Sequence, residues 1–525
     1  MRSESLFRRR MSMAVVLIGA LGLHVWAACC RSQALLEHDE SISLLAAAGK
    51  SQKLNELEAA SRSIAIVPAT EIKQWLTPSG AKATDVRYSL AAHDRHPPLY
   101  FLTLHALERL GVESRTWLRL VGTLAIFLAA WFAARYIWPD ASIGLQCLAL
   151  VWLVASPVSL WIATELRQYG FVYLGIVISV AAIIRHWQAA IGSRETIFLL
   201  TAAPAILLWS QVASVIWVGI CLVLIIAPCF SKTPGAVRRV VWSLTISFVV
   251  LLPLGIRWLA YPTGLMLATP IPLSQLPGRL LEPLFRAIGA AWFNHPGRFE
   301  FTLVPSILGA LSFATLVVMG LMSRTVVHRR LTAAVLGWLV IWCLLVAVGR
   351  LPPQALMSKQ LLAVIVCMFA VLVREAQAGW KDRRGRFAIA FLSLSLATHP
   401  LGIIQLIHGK TSQALLVAEL NHADALLVTA PQRGHFLPLV DALRPDATII
   451  VGGSARLIQD WKKVEPVLPA GGLILAHIRS GNSGDALEEL QSRLSEEYAE
   501  AATLRDEKSR TLTAYRYRRS AMTKP

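Results

Sequence analysis

About eleven long apolar runs occupy the first 406 residues of this 525-residue chain. Most are roughly 18 to 22 residues long, the length that an α-helix needs to cross the hydrocarbon core of a bilayer. Only 16% of the residues are charged, whereas about 25% is usual in soluble domains. A segment in lipid must satisfy its own backbone hydrogen bonds, which a helix does. The sequence therefore predicts a polytopic α-helical membrane protein.

A shorter apolar stretch at residues 97–110 departs from this pattern. It carries His105, Glu108 and Arg109, and charged side chains are costly in lipid. We expect this stretch to form a juxtamembrane or re-entrant helix. The predicted crossings are Met11–Ala28 and the runs at about 117–135, 143–163, 168–186, 196–210, 212–230, 238–260, 302–323, 330–349, 357–374 and 386–406.

The net charge of +19 comes mainly from Lys and Arg in short loops between the runs. That is the positive-inside pattern of membrane proteins; it lacks a basic face with interleaved aromatics, so no nucleic-acid partner is expected. The N-terminus resembles a signal peptide, but its apolar run is too long, which favours an uncleaved first helix. We expect a bacterial inner-membrane protein with a cytoplasmic N-terminus and a periplasmic C-terminal domain. The loops predicted to be cytoplasmic carry Arg185 and Arg194; Lys232, Arg238 and Arg239; Arg324, Arg329 and Arg330; and Lys381, Arg383, Arg384 and Arg386.

Beyond about residue 407 the composition becomes that of a small soluble α/β domain. We expect two domains, a membrane module at 1–407, with residues 31–116 as its first outer loop, and a soluble domain at 408–525. In the first loop, Ser41–Leu57 is predicted to form one amphipathic helix along the membrane surface. The predicted strands are Ala425–Thr429, Thr448–Val451, Leu473–His477 and Leu512–Tyr517, and the predicted helices are His435–Leu443, Ala455–Val464 and Leu487–Ala502.

Several polar clusters fall at the predicted outer ends of the crossings. A carboxylate there can deprotonate an acceptor hydroxyl, and Arg or Lys can hold a phosphate leaving group. Taken singly, each cluster also fits an ordinary loop or an interfacial ion pair. The clusters are Glu37-His38-Asp39-Glu40, Asp94 with His96, Glu165 with Arg167 and Tyr169, and the loop Arg350–Lys359.

The same residues leave open whether the protein binds a metal ion. Carboxylates such as Asp39, Asp94 and Glu165 could hold a divalent metal through oxygen. The seven cysteines show no CxxC spacing and lie in or beside apolar runs. They are therefore predicted to be small core residues rather than zinc ligands or a disulfide framework.

Four motifs, taken in the order in which they occur along the chain, resemble those of the GT-C superfamily of membrane glycosyltransferases. The closer resemblance is to glycosyltransferase family 39, the dolichyl-phosphate-mannose–protein mannosyltransferase-like family, which includes the lipid A aminoarabinose transferases. The resemblance covers most of residues 10–405. It is carried by Asp39-Glu40 after the first helix, by Asp94-Arg95-His96-Pro97-Pro98-Leu99-Tyr100 followed by Leu118-Arg119-Leu120, by Glu165-x-Arg167-x-Tyr169, and by the late outer loop.

The resemblance implies transfer of a hexosyl or pentosyl group from a polyprenyl-phosphate-linked donor. The acceptor would be a hydroxyl of an extracytoplasmic glycan, lipid or protein. Asp39 would be the catalytic base or charge stabiliser, with Glu40 beside it. The remaining predicted residues would bind substrate: Asp94, His96, Glu165, Arg167, Tyr169 and Lys359.

One departure from the family concerns the late loop. The family often carries an Arg-Tyr pair there, whereas this chain has Ser358-Lys359-Gln360. A lysine meets phosphate as a point charge, without the two-pronged geometry of arginine.

Two other functions fit the same sequence. A transporter or flippase would also be polytopic, although the later crossings are nearly free of Asp and Glu, and neither an inverted repeat nor paired broken helices are evident. A non-catalytic envelope assembly protein, with the C-terminal domain as its working part, is the third interpretation.

Overall fold

The structure is a computed structural model. It describes residues 2–518 except 61–63, 78–80, 93–95, 113, 189–193, 231–234, 261–269, 294–302, 352–358, 378, 380–381, 412–413, 430–433, 479–483, 499 and 505–511. The chain forms two compact units, Met1–Ala28 with Arg119–Ile407, called the membrane unit below, and Cys29–Leu118 with His408–Pro525, called the α/β unit.

The helices and strands follow in chain order. They are α1 (Arg2–Ser32), α2 (His38–Ala47), α3 (Ser51–Ala60), β1 (Ala65–Pro68), α4 (Ala69–Trp75), α5 (Ala83–Ala92), α6 (Leu99–Arg109), α7 (Arg115–Phe132), α8 (Ile143–Ala155), α9 (Pro157–Thr164), α10 (Tyr169–Gln188), α11 (Arg194–Ser210), α12 (Ser214–Phe230), α13 (Ala236–Ala260), α14 (Glu282–Phe293), α15 (Leu303–Leu321), α16 (Val326–Ala347), α17 (Leu362–Ala376), α18 (Arg383–Ala397), α19 (His399–Thr411), α20 (Ala414–His422), β2 (Ala425–Thr429), α21 (Leu437–Ala442), β3 (Thr448–Gly452), α22 (Ser454–Gln459), α23 (Trp461–Val464), β4 (Gly472–Ile478), α24 (Gly484–Glu497), β5 (Glu500–Leu504) and β6 (Leu512–Arg518).

Each predicted crossing has a helix, or a pair of consecutive helices, in its place. Six helical segments among the described residues are long and apolar enough to cross a membrane, and the bent pair α8–α9 makes a seventh if it counts as one span. Others are shorter, such as α12 with 17 residues and α17 with 15. The polytopic helical fold is thus confirmed, while the count of eleven crossings stays a prediction. Helix α6 has only 11 residues, about 16 Å of helix and too short to span a bilayer.

The break between α8 and α9 comes from Ser156-Pro157. Proline has no backbone N–H to continue α8, but its fixed φ suits the first position of a new helix. The Ser156 hydroxyl caps that helix by accepting a hydrogen bond from the Ser159 N–H at 3.2 Å. The two helices meet at a bend of 45°. Consequently α9 ends after eight residues, at the Glu165 motif.

Helices α10 and α17 lie at the centre of the membrane unit. In the α10 span, 83% of the most apolar stretch is buried within the protein. Beside α17, the rings of Trp152 and Phe369 stack with their centroids 4.2 Å apart, and Trp292 lies 4.8 Å from Trp152. Trp292 belongs to α14, which lies between two predicted crossings and packs closely against α15.

The α/β unit is built on one six-stranded sheet in the order β1-β3-β2-β4-β6-β5. Strands β2, β3 and β4 are parallel, and the flanking strands pair antiparallel. All four predicted strands are present. Strand β1 comes from the segment between α1 and α7 and pairs with β3 through Ala65 and Val451. The two compact units thus differ from the two domains expected to divide at residue 407, because residues 29–118 belong to the same unit as the C-terminal segment.

Three predicted helices differ from the structure. The helix expected at Ala455–Val464 is divided at Asp460 into α22 and α23. The helix expected at Ser41–Leu57 is two helices, α2 and α3, separated at Gly49, whose φ of 70° lies in the left-handed region that favours glycine. The helix expected at Leu487–Ala502 ends at Glu497, and Glu500–Leu504 forms β5. In the last case pairing with β6 outweighs the local helix propensity.

Gly122→Ala is expected to destabilise the membrane unit. A Cβ at Gly122 would lie 2.3 Å from the backbone oxygen of Ala163, and a Cβ at Gly170 in α10 would lie 2.9 Å from the Gly122 Cα. Overpacking of this kind costs about 1–3 kcal/mol. Thermal unfolding of the purified protein in detergent measures the effect. Gly337→Ala is the matched control, because nothing lies within 4 Å of a Cβ there, and equal melting of both variants would contradict the prediction.

Candidate functional site

A buried ion pair joins two of the predicted polar clusters in the membrane unit. The ammonium of Lys359 donates to the Glu165 carboxylate, with 2.8 Å between Nζ and Oε1. The Glu165 side chain is 0% exposed and that of Lys359 is 10% exposed. Glu165 follows the last residue of α9 in extended conformation, and Lys359 precedes α17. The pair therefore fixes the end of one helix against the start of another.

Aromatic rings and amides surround the Lys359 ammonium. Its nitrogen lies 4.8 Å from the ring centroid of Tyr169 and 5.2 Å from that of Trp161, distances at which a cation is attracted to the ring face. The Tyr169 hydroxyl accepts a hydrogen bond from the Gln360 amide at 2.8 Å. Gln360 in turn accepts from Gln211 at 2.8 Å. This chain of hydrogen bonds connects α10, the α11–α12 junction and the start of α17.

Buried polar side chains continue on both sides of Glu165. Arg119 is 1% exposed and donates to the Thr164 carbonyl at 2.6 Å, where the carbonyls that end α9 need donors. Arg167 is 7% exposed. Gln168 is 0% exposed, and its amide nitrogen and oxygen have no hydrogen-bond partner among the described residues. A buried amide without partners costs about 1–3 kcal/mol, so Gln168 is suited to bind a hydroxyl-bearing ligand.

This arrangement can hold an anion next to apolar helices. Lys359 carries a positive charge that Glu165 balances in the resting protein and that the ring faces also stabilise. An ammonium has three donors, which allows it to keep Glu165 and bind a phosphate oxygen as well. The ammonium also makes Glu165 a poor ligand for a divalent cation, since both cations would compete for one carboxylate.

Glu40 in the α/β unit is held by hydrogen bonds within the chain. One carboxylate oxygen accepts from the Glu37 N–H at 3.0 Å, completing a capping box at the start of α2. The other lies 3.3 Å from the guanidinium of Arg31, which also pairs with Glu37 at 3.1 Å. Glu40 is 0% exposed and Arg31 is 3% exposed. These contacts suit a role in positioning α2 rather than in proton transfer.

Asp39 and His38 lie at the same helix start and are less buried than Glu40. Asp39 is half-buried and lies in the first turn of α2, where the N-terminal end of the helix dipole stabilises a carboxylate. The His38 ring stacks on His435, with the centroids 4.0 Å apart. His435 follows β2, at the carboxyl end of the parallel strands, where ligands of α/β sheets commonly bind.

The remaining predicted residues divide between described and undescribed parts of the chain. His96 is half-buried, with its ring 6.4 Å from that of Phe101 in α6. Asp94 and Ser358 lie outside the described residues. Within the described parts of the chain there is no cluster of three or more His, Cys, Asp or Glu suited to a metal ion. The structure brings together Glu165, Tyr169 and Lys359, whose roles stay predictions.

Several polar residues of this site were not predicted from the sequence. Gln211 and Gln360 lie 149 residues apart, and although Gln360 follows Lys359 in the late loop, nothing in the sequence pairs it with Gln211. In the sequence, Trp161 looks like an ordinary residue of an apolar run, and Gln168 looks like an ordinary loop residue. Only Arg119 had a usable signal, as the charged residue of Leu118-Arg119-Leu120 at the start of an apolar run.

Glu108→Gln is expected to change the pH dependence of stability. Burial raises the pKa of the Glu108 carboxyl in α6 from 4.5 to about 8, so the folded state keeps a proton that the unfolded state releases between those values. Stability should therefore fall as pH rises from about 4.5 to 8. The neutral glutamine removes that loss. Melting temperatures at about pH 5 and 8 test this, and parallel pH profiles for variant and wild type would disprove it.

The fold formed by these helices and this sheet is similar to that of ArnT. It resembles the crystal structure of ArnT from Cupriavidus metallidurans in the apo state, with a TM-score of 0.51 over 96% of this chain and 97% of that chain at 12% identity. ArnT from the same organism bound to undecaprenyl phosphate gives a TM-score of 0.49, with the same coverage and identity. No protein-family model matches the chain, and no curated protein matches its sequence.

Proposed function

We propose that the protein is an integral-membrane glycosyltransferase that uses a polyprenyl-phosphate-linked sugar. The observation that carries this proposal is the buried Glu165–Lys359 pair between aromatic rings, at 2.8 Å, in a chain with a GT-C-type fold. A donor of this kind has an apolar tail that lies in the membrane and an anionic phosphate that a cation at the edge of the membrane can bind. The acceptor is a hydroxyl on the extracytoplasmic side.

Transfer requires one bond to break and one to form. The bond between the anomeric carbon and the phosphate oxygen breaks, and polyprenyl phosphate leaves with the electron pair. The acceptor oxygen attacks the anomeric carbon and gives its proton to a carboxylate base. Lys359 stabilises the charge that develops on the leaving phosphate, which is the usual role of a fixed cation in such a site.

The surrounding residues supply the other interactions. Arg167 belongs to the same buried turn as Glu165 and adds a second positive charge for phosphate. The Gln168 amide, which has both a donor and an acceptor, is placed to bind a sugar hydroxyl. Glu165 holds Lys359 in position, and Tyr169 is held by Gln360.

Asp39 is proposed as the base that takes the acceptor proton. It has the appropriate residue type, lies in a short motif after the first helix and is half-buried at the start of α2. Glu40 would keep that helix start in place through its capping box and Arg31.

Replacing Lys359 separates charge stabilisation from folding. Lys359→Gln removes the ammonium that balances the buried Glu165 carboxylate, which costs about 3–5 kcal/mol, so this variant should accumulate poorly. The double variant Glu165→Gln, Lys359→Gln removes both charges and should recover stability. Its transfer rate should still fall by at least about 100-fold, the effect of losing one charge-stabilising donor. Transfer of labelled sugar from a polyprenyl-phosphate donor mixture in membranes measures this.

Lys359→Arg is the control for that experiment. It keeps the positive charge and should retain transfer within about tenfold. Wild-type transfer by the uncharged double variant would show that Lys359 does not act on the phosphate.

Asp39→Asn tests the base in the same assay. Loss of a general base lowers the rate by about 10²–10⁴-fold, while accumulation in the membrane should stay normal. Glu71→Gln is the matched control, an exposed first-turn carboxylate of α4 in the same unit. Equal transfer by wild type and Asp39→Asn would remove Asp39 from the mechanism.

A further inference from the structure

The region from residue 168 to residue 260 has a strongly unbalanced charge. It contains six basic residues and a single acidic one, Glu195; the basic residues are Arg185, Arg194, Lys232, Arg238, Arg239 and Arg257. Most of them lie at helix ends that the positive-inside pattern predicts to be on the cytoplasmic side. The proposed transfer reaction uses none of these residues.

Three of these arginines line one cavity of the membrane unit. The cavity lies between α11 and α13 and has a volume of about 280 Å³, near the lower limit of about 300 Å³ for small-molecule pockets. That size suits a headgroup better than a whole lipid or a large ligand. Its lining consists of Arg194, Ile197, Arg238, Arg239, Trp242 and Ile246.

Arg239 is the fixed charge of this cavity. It is 0% exposed, and its Nε donates to Nδ1 of His186 at 3.2 Å, while an Nη donates to the His186 carbonyl at 3.3 Å. The other ring nitrogen of His186 lies 2.9 Å from the Ile225 carbonyl, so it must carry the proton and donate. His186 is therefore neutral here and positions Arg239 without cancelling its charge.

Arg194 and Arg238 form the outer part of the cavity. Both are exposed, and neither forms an ion pair with an acidic side chain in the described parts of the chain. Glu195 follows Arg194 directly and is also exposed. The adjoining segments 189–193 and 231–234 contain no Asp or Glu in their sequence. The cavity therefore presents two exposed cations beside a buried one, which suits a phosphate group.

The apolar part of the cavity distinguishes a lipid from a free phosphate. Trp242 is 51% exposed, and the exposed surface of α13 continues through Ile246 to Phe248 and Val249. Phe198 on α11 is 61% exposed. A headgroup held by the arginines would thus have its acyl chains along an apolar surface. Basic pockets between helices on the cytoplasmic side are suited to anionic lipid headgroups.

We propose that the cavity between α11 and α13 binds the phosphate headgroup of an anionic phospholipid from the cytoplasmic leaflet. Arg239, held by His186, forms its floor, Arg194 and Arg238 bind the phosphate, and Trp242 and Ile246 contact the start of the acyl chains. The site is separate from the Glu165–Lys359 site and does not depend on the proposed transfer activity.

Native mass spectrometry of the full-length protein in detergent tests this site. Phosphatidylglycerol, phosphatidylcholine and inorganic phosphate are added separately. We expect wild type to retain phosphatidylglycerol in preference to phosphatidylcholine. In Arg194→Gln, Arg238→Gln the affinity for phosphatidylglycerol should fall by roughly 30-fold, since each surface arginine contributes about 1 kcal/mol.

Two comparisons complete the experiment. Arg386→Gln, an exposed arginine at the start of α18, should bind phosphatidylglycerol as wild type does. The melting temperature without lipid should be equal for wild type and the double variant; if it is not, each single variant is measured, with an expected loss of roughly fivefold.

Three results would overturn the proposal. They are equal retention of the two phospholipids by wild type, unchanged binding in the arginine variants, and displacement of phosphatidylglycerol by inorganic phosphate at similar concentration. The last result would identify a free-phosphate site.

Discussion

A glutamate and a lysine cannot be buried among apolar helices unless each satisfies the other. Desolvating either charge costs several kcal/mol, and a close partner with well-formed hydrogen bonds recovers much of that cost. The pair of Glu165 and Lys359, at 2.8 Å, therefore constrains everything around it. The α9–α10 junction and the start of α17 must meet, because separating them would leave two charges in a medium of low dielectric constant.

Local sequence features favour the contact between the α9–α10 junction and the start of α17, but they do not determine it. Ser156-Pro157 ends α8 and starts α9, so that the chain turns at Glu165 rather than continuing as one long helix. The close approach of Gly122 to Ala163 and Gly170 brings α7 against the same turn, and Arg119 completes it by capping Thr164. The result is a rigid turn whose polar side chains are buried. Such burial is costly for stability and is typical of sites that bind or react.

The two charged sites of the membrane unit use charge differently. At the first, the Lys359 ammonium is balanced by the Glu165 carboxylate and shielded by Trp161 and Tyr169, which suits a substrate that binds and leaves. At the second, Arg194, Arg238 and Arg239 share one cavity with little acidic compensation, which suits a permanently anionic group. The positive-inside pattern alone explains why basic residues collect there, but it does not explain why Arg239 is fully buried and held by a neutral histidine.

The sequence by itself determined the membrane class, the presence of helix at every predicted crossing, the four predicted strands and the presence of Glu165, Tyr169 and Lys359 among the functional candidates. Hydrophobic runs and β-branched strands are local patterns. They can be recognised in the sequence because burial in lipid or in a sheet requires suitable side chains along the whole segment. Only the tertiary structure decided that β1 joins the C-terminal sheet, that Leu487–Ala502 divides into a helix and a strand, and that Gln211 and Gln360 meet beside Tyr169. Those outcomes depend on pairings between residues far apart in the chain, for which neither partner carries a local signal.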